Sequence, residues 1–249
     1  MKQARARRTH PLVTILTVAA LLLLCASPLF AGPKPAGSQV VDSGAFGIFV
    51  RGQRVATESF TIKQFADYSS TTSELKLADG KVAQTSEMQL SSNGDLRRYE
   101  WRESSPGKAV SVIEPEDQFL IQRITGTDKP VEQPFLMPAS SAVLDDYFFS
   151  HRELLIWRYL AAGCHMPVGS NACPLEKAQF GVVIPRQRTS TTVNVAFVGR
   201  EKIFIHGQQR DLSRFNLVAD GVDWSLWLDD EKKVVRILIP STETEVLRD

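Results

Sequence analysis

From Gly44 onward, apolar side chains return at every second position over short stretches, and turn-forming residues separate the stretches. In Arg98-Tyr99-Glu100-Trp101-Arg102 the aromatics point one way and the charges the other, as in a strand with one buried and one wet face. Val222-Asp223-Trp224-Ser225-Leu226 repeats the pattern, and Val193, Val195 and Phe197 alternate with Thr192, Asn194 and Ala196. Comparable runs lie at Ile48–Val50, Val55–Ile62, Glu74–Leu77, Val82–Leu90, Ala109–Ile113, Phe119–Ile124, Phe180–Ile184, Ile203–His206, Leu212–Val218 and Val234–Ile239. Arg51-Gly52, Asp79-Gly80, Asn93-Gly94, Pro106-Gly107, Asp220-Gly221 and Asp229-Asp230 supply the hairpin turns between them. About a dozen strands with no helices interposed predict a mainly β fold, an antiparallel meander forming an open or half barrel.

One segment departs from the period of two. A loop carrying Pro130, Pro134 and Pro138 leads into 142–162, whose length and composition predict one long helix. Ser140 or Ser141 would cap it, Asp145 and Asp146 would sit at the positive end of its dipole, and Gly163 would close it. On a helical wheel Leu144, Tyr147, Phe148, Leu154, Leu155 and Tyr159 share one broad face, with Phe149, Ile156 and Leu160 on the other side. A helix apolar nearly all round is buried, and a sheet of this many strands is too wide to fill itself. The expectation is a helix packed on the concave face of the sheet.

The first 31 residues read differently again. Lys2, Arg5, Arg7 and Arg8 precede an uncharged run ending in Leu29-Phe30-Ala31-Gly32, the order of a signal peptide with a cut after Ala31. The alternatives are a retained membrane anchor, since roughly 20 apolar residues span a bilayer, and lipidation at Cys25, where four preceding leucines replace the usual small residue. Residues 32–43, rich in Pro, Gly and Ser, read as a flexible linker, and 44–249 as a single β-rich domain of an exported protein, periplasmic or secreted. Cleavage removes four of the 29 basic residues and none of the 28 acidic ones, leaving 25 against 28 and a formal charge of −3. With the remaining cations scattered among acids, nucleic acid is not an expected partner.

Cys164 and Cys173 are the cysteines left after cleavage, and an oxidising compartment predicts a disulfide between them. Metal binding with His165 is the rival, but the spacing does not match a zinc site, and neither metal nor cofactor is expected. His151 and Arg158 fall within the apolar helix face, seven residues apart, on one stripe about 10 Å long. Either strand carboxylates and carbonyls satisfy them, or, with Tyr147 and Tyr159, they face a cavity and hold the polar end of an apolar ligand. No nucleophile elbow, His-Glu-x-x-His pair or phosphate loop is present. His206 reads as a rim residue, while Glu114, Glu116 and Asp117, like Asp229, Asp230 and Glu231, sit at apparent turns that acids simply solvate. Trp101 and Trp224 look like core, and Trp227, which points the other way, is the tryptophan expected at a surface.

The opening from Gly44 through Ile48-Phe49-Val50-Arg51-Gly52-Gln53 to Glu58-Ser59-Phe60 is a strand, a tight glycine turn and a second strand ending in Glu-x-Phe. With the closing hairpin from Trp227-Leu228-Asp229 to Ile239-Pro240, it resembles exported half-barrel proteins typified by the outer-membrane lipoprotein carriers and related periplasmic families of unknown function. The resemblance is architectural and carries over no site residue. It implies an apolar cavity for acyl chains or another amphiphile. The expected function is therefore non-enzymatic binding of a lipid or other hydrophobic ligand, set against a cell-envelope interaction or scaffold module and a hydrolase using carboxylates or His151.

Overall fold

A computed structural model describes residues 37–104, 107–163 and 177–249. Among them, fifteen strands form one sheet. The first half runs β1 (Gln39–Val50), β2 (Gln53–Gln64), β3 (Tyr68–Leu77), β4 (Val82–Ser91), β5 (Leu96–Glu103), β6 (Val110–Glu116), β7 (Phe119–Thr125) and β8 (Val131–Phe135). After β9 (Ala142–Val143) and the helix α1 (Ser150–Ala161) come β10 (Ala178–Ile184), β11 (Thr189–Ile205), β12 (Gln208–Ala219), β13 (Val222–Leu228), β14 (Val234–Ile239) and β15 (Thr244–Arg248).

Every strand pairs with its neighbours in sequence, with two exceptions. β1 pairs antiparallel with β15, Phe46 opposite Arg248, so the first and last strands sit side by side. β8 and β9, although consecutive, form the two outer ends of the sheet. The sheet is therefore open, and further bonds cross within it: Leu96 N–H of β5 donates to the Ala139 carbonyl of the β8–β9 connection at 2.7 Å, and the Gln122 amide of β7 donates to the Pro185 carbonyl just beyond β10 at 2.9 Å.

The alternation read from sequence places the core. Tyr99 and Trp101 are buried, and Phe46, Phe60, Leu75, Ile113, Leu120, Val195, Phe215, Leu226, Ile237 and Val246 join them in one cluster that reaches almost every strand. A sheet whose inward faces all meet in one core must curl around it, and α1 fills the middle with Leu155, Ile156 and Tyr159. Each such side chain contributes about 1.5–3 kcal/mol on burial. Arg51 and Gly52, at φ 51° and 75°, and Asp220 and Gly221, at 47° and 78°, adopt the left-handed pair that a two-residue hairpin requires.

Four expectations need correction. The helix covers 150–161, not 142–162, because Ala142 and Val143 pair in parallel with Val182 and Val183 and are consumed as strand. Neither Ser140 nor Ser141 caps it; Ser141 instead donates its amide to Pro138 in a turn. The strand count rises above a dozen, although Ile203–His206 and Val193–Phe197 belong to one strand, β11, with a register shift between Phe197 and Gly199. The domain also begins earlier than Gly44, since Gln39–Ser43 already pair with β2. Residues 1–31, Cys164, His165 and Cys173 lie outside the described residues. Among those described, no helix is long and apolar enough to cross a membrane.

Candidate functional site

The N-terminus of α1 is anchored by groups that its own sequence does not supply. Phe149 occupies the N-cap position without a side-chain hydrogen bond, which leaves the first amides in need of acceptors. Glu58, fully buried on β2, provides them: its carboxylate accepts from Phe149 N–H at 2.6 Å and from the Ser150 hydroxyl at 2.7 Å, while Ser73 of β3 donates at 2.9 Å. Burial raises the Glu58 pKa, and these hydrogen bonds oppose the rise.

Asp145 organises the approach to the helix. Its carboxylate accepts from the Tyr99 hydroxyl at 2.7 Å, the Tyr147 amide at 3.0 Å and Arg186 Nε at 2.8 Å. Arg186 in turn bonds Gln84 and lies over the rings of Trp101 and Tyr147, at 4.5 and 4.4 Å. Burial and the Asp145 charge hold the Tyr99 phenol well above its ordinary pKa, so it remains a donor. The Asp145 amide donates to His151 Nδ1 at 3.3 Å. An N–H can only donate, so Nδ1 is the lone-pair nitrogen and the proton sits on Nε2.

A third buried set joins the helix to both ends of the sheet sequence. Glu153 accepts from Val234 N–H at 2.8 Å and from Arg248 at 2.9 Å, and the same guanidinium binds both oxygens of Asp42. Burial and the adjacent Asp42 carboxylate push Glu153 up to about 9. For Asp42 burial pulls upward too, but Arg248, the Glu153 carboxyl and Lys233 outweigh it and hold the group low.

Beside these anchors α1 borders a groove of about 480 Å³, within the range of small-molecule sites. Met88 and Leu90 of β4, Val143 of β9, and Leu154, Leu155 and Trp157 of α1 make its apolar wall, and Gln64, Ser69 and the turn Ser91–Gly94 lie on its lining too. His151 and Arg158 both line it. His151 is 1% exposed, and its Nε2 has no hydrogen-bond partner among the described residues. Burial pushes its pKa down to about 3, against the pull of Asp145, so it is a neutral donor at ordinary pH. Arg158 is half-buried, with its guanidinium 5.6 Å from the Phe180 ring centre and without a carboxylate partner among the described residues.

The two tyrosines expected beside them lie elsewhere. Tyr147 is about half exposed under Arg186, and Tyr159 is buried, its hydroxyl accepting from the Phe197 amide at 3.2 Å. Trp227 is also displaced from expectation: it is 4% exposed, donates to Glu201 at 3.0 Å and packs with Ile205, Leu212 and Val235 in a second small core on the other face of β13. The far half of β11, bent by the irregularity at Gly199, brings Ile203 and Ile205 to it. Glu114 and Glu116 pair with Arg98 and Arg123, and Asp229 accepts the Lys233 amide of its own turn at 3.0 Å. Sequence gave no sign of Glu58, Asp42, Glu153 or Arg248 as a set, beyond the Glu-x-Phe ending of β2.

A second depression, about 410 Å³, lies on the outward faces of β2–β5 among Ser59, Thr61, Thr72, Glu74 and Glu87. Half-exposed and exposed hydroxyls and carboxylates make most of its lining, as on the wet face of a sheet. Among the described residues no cluster of three or more His, Cys, Asp or Glu side chains is placed to hold a metal ion.

Fold and groove together define a barrel-like architecture, an open β-sheet curled around one helix. No protein-family model matches the sequence, and no curated protein matches it. Among solved structures, it is similar to a β-barrel-like protein of the domain of unknown function DUF1849 from Brucella abortus, with 7% sequence identity and a TM-score of 0.46, over 87% of this chain and 96% of that one.

Proposed function

We propose that this protein is a binding module that holds an apolar or amphiphilic ligand, a lipid or acyl chain, in the groove between α1 and β4, and does not transform it. The observation that carries the reading is the groove itself: an apolar wall about a buried histidine whose Nε2–H has no partner among the described residues. A donor left dry in an apolar site costs about 1–3 kcal/mol, and an acceptor on a bound molecule removes that cost. Holding rather than turnover is favoured by the chemistry of the lining. No carboxylate among the described residues contributes to it, His151 stays neutral down to about pH 3, and its Nδ1 is already engaged by the Asp145 amide. The buried carboxylates that do converge, Asp42 and Glu153, share Arg248 and are not part of the groove.

The reading includes export, with the ligand met in the periplasm or outside the cell, as residues 1–31 suggest. A scaffold role resting on an exposed Trp227 loses its support, because that side chain is buried.

Native mass spectrometry of gently purified protein, followed by organic extraction, tests the proposal. Co-purifying mass that extraction removes, together with a change in Trp157 fluorescence when an alkyl probe is added back, is the expected result. A protein that carries nothing and shows no Trp157 response to any alkyl probe overturns it.

A further inference from the structure

The groove is electrically one-sided. Among the described residues that line it, Arg158 is the only charged side chain, since His151 is neutral and no described Asp, Glu or Lys takes part. Most other arginines of the domain are ion-paired: Arg186 with Asp145, Arg248 with Asp42 and Glu153, Arg200 with Asp211 and Asp230. Arg158 rests on the Phe180 ring with no carboxylate among the described residues. A half-buried guanidinium beside an apolar wall strengthens its attraction for an anion, because less water screens it.

Resting on the binding reading above, we propose that the ligand is an alkyl chain with an oxyanion head, a carboxylate in the simplest case, and that Arg158 is the residue that pairs with the head. The chain then lies along Leu154, Leu155, Met88 and Leu90. Arginine suits this role, since its planar fork meets two oxygens of a carboxylate at once. His151 stands two turns back on the same stripe, its backbone about 10 Å away along the helix axis. Its Nε2–H serves a neutral acceptor on the chain, such as an ester or hydroxyl oxygen. A cationic head would face Arg158 without a compensating acid, and a neutral head would leave the guanidinium unpaired.

Three probes of equal chain length, dodecanoate, dodecan-1-ol and dodecyltrimethylammonium, are titrated into the full chain below their aggregation thresholds, with Trp157 fluorescence and calorimetry as readouts. Dodecanoate is expected to bind at least tenfold more tightly than the alcohol, and the ammonium not measurably. Arg158→Met should bring dodecanoate down to the level of the alcohol measured on the same variant. The wild-type series stands on its own if that variant folds poorly. Equal binding of all three, or preference for the ammonium, overturns the oxyanion assignment and leaves the groove reading intact. Failure of all three to bind overturns both.

Discussion

Glu58 accepts the amide of Phe149 at 2.6 Å across 91 residues of sequence, so a strand carboxylate does the work that a serine or aspartate usually does at a helix start. Glu58→Ala leaves the Phe149 amide without its acceptor and the Ser73 and Ser150 hydroxyls with only each other, 3.0 Å apart, so one of the two has no acceptor. Each buried donor so orphaned costs about 1–3 kcal/mol. Chemical denaturation should show a loss on the order of 3 kcal/mol, and Glu58→Gln, which keeps one acceptor oxygen, a smaller one. Equal stability of all three proteins would show that α1 is held by its apolar face alone.

Glu153 makes stability depend on pH. Its folded pKa of about 9 stands above the ordinary 4.5, so between those values the folded chain keeps a proton that the unfolded chain has released. Stability from this group is complete below about pH 4.5 and declines as pH rises toward 9. Glu58, also raised, acts in the same direction. Glu153→Gln cannot ionise and should flatten the curve, gaining on the order of 1 kcal/mol over wild type by pH 9, or about 2–4 °C in Tm for a domain of this size. Scanning calorimetry from pH 6 to pH 9 would decide it; parallel curves would refute the assignment.

Arg186 clamps the helix approach to the sheet. Arg186→Leu leaves Asp145 buried without its cation, and breaking such a pair from one side costs about 3–5 kcal/mol. Arg186→Lys keeps the charge but loses the planar fit between Trp101 and Tyr147, so its urea midpoint should fall between leucine variant and wild type.

The second small core gives a paired comparison. Trp227→Ala should cost about 3–5 kcal/mol, whereas Phe204→Ser, at a side chain 70% exposed beside the turn of the β11–β12 hairpin, should lie within about 0.5 kcal/mol of wild type. Urea unfolding of both variants checks the contrast. A Phe204 variant as damaged as the Trp227 one would show that the hairpin tip is buried against something in solution.

The residues that could be placed from sequence are those whose fate is set by near neighbours. Tyr99 and Trp101 alternate with Arg98, Glu100 and Arg102, and they enter the core as the pleat requires. His151 and Arg158 share a stripe because seven residues make two helical turns, and both reach the groove. Ala142 and Val143 could not be placed, since two residues paired in parallel with a distant strand have no period to read. The start of α1 leaves no local mark for the same kind of reason: its first amides are accepted by Glu58, and nothing adjacent to Ser150 announces it. Asp42, Glu153 and Arg248 are scattered along the chain and meet only because β1 pairs with β15. Tyr147 was assigned to a helical face that does not extend so far, as α1 begins at Ser150.

That pairing of β1 with β15 also sets an order of events. Phe46 finds its partner only when Arg248 is present, so β1 keeps an open edge until the final strand has been made. If the chain is exported, as proposed above, that open edge keeps the polypeptide threadable until β15 has followed β1 across the membrane.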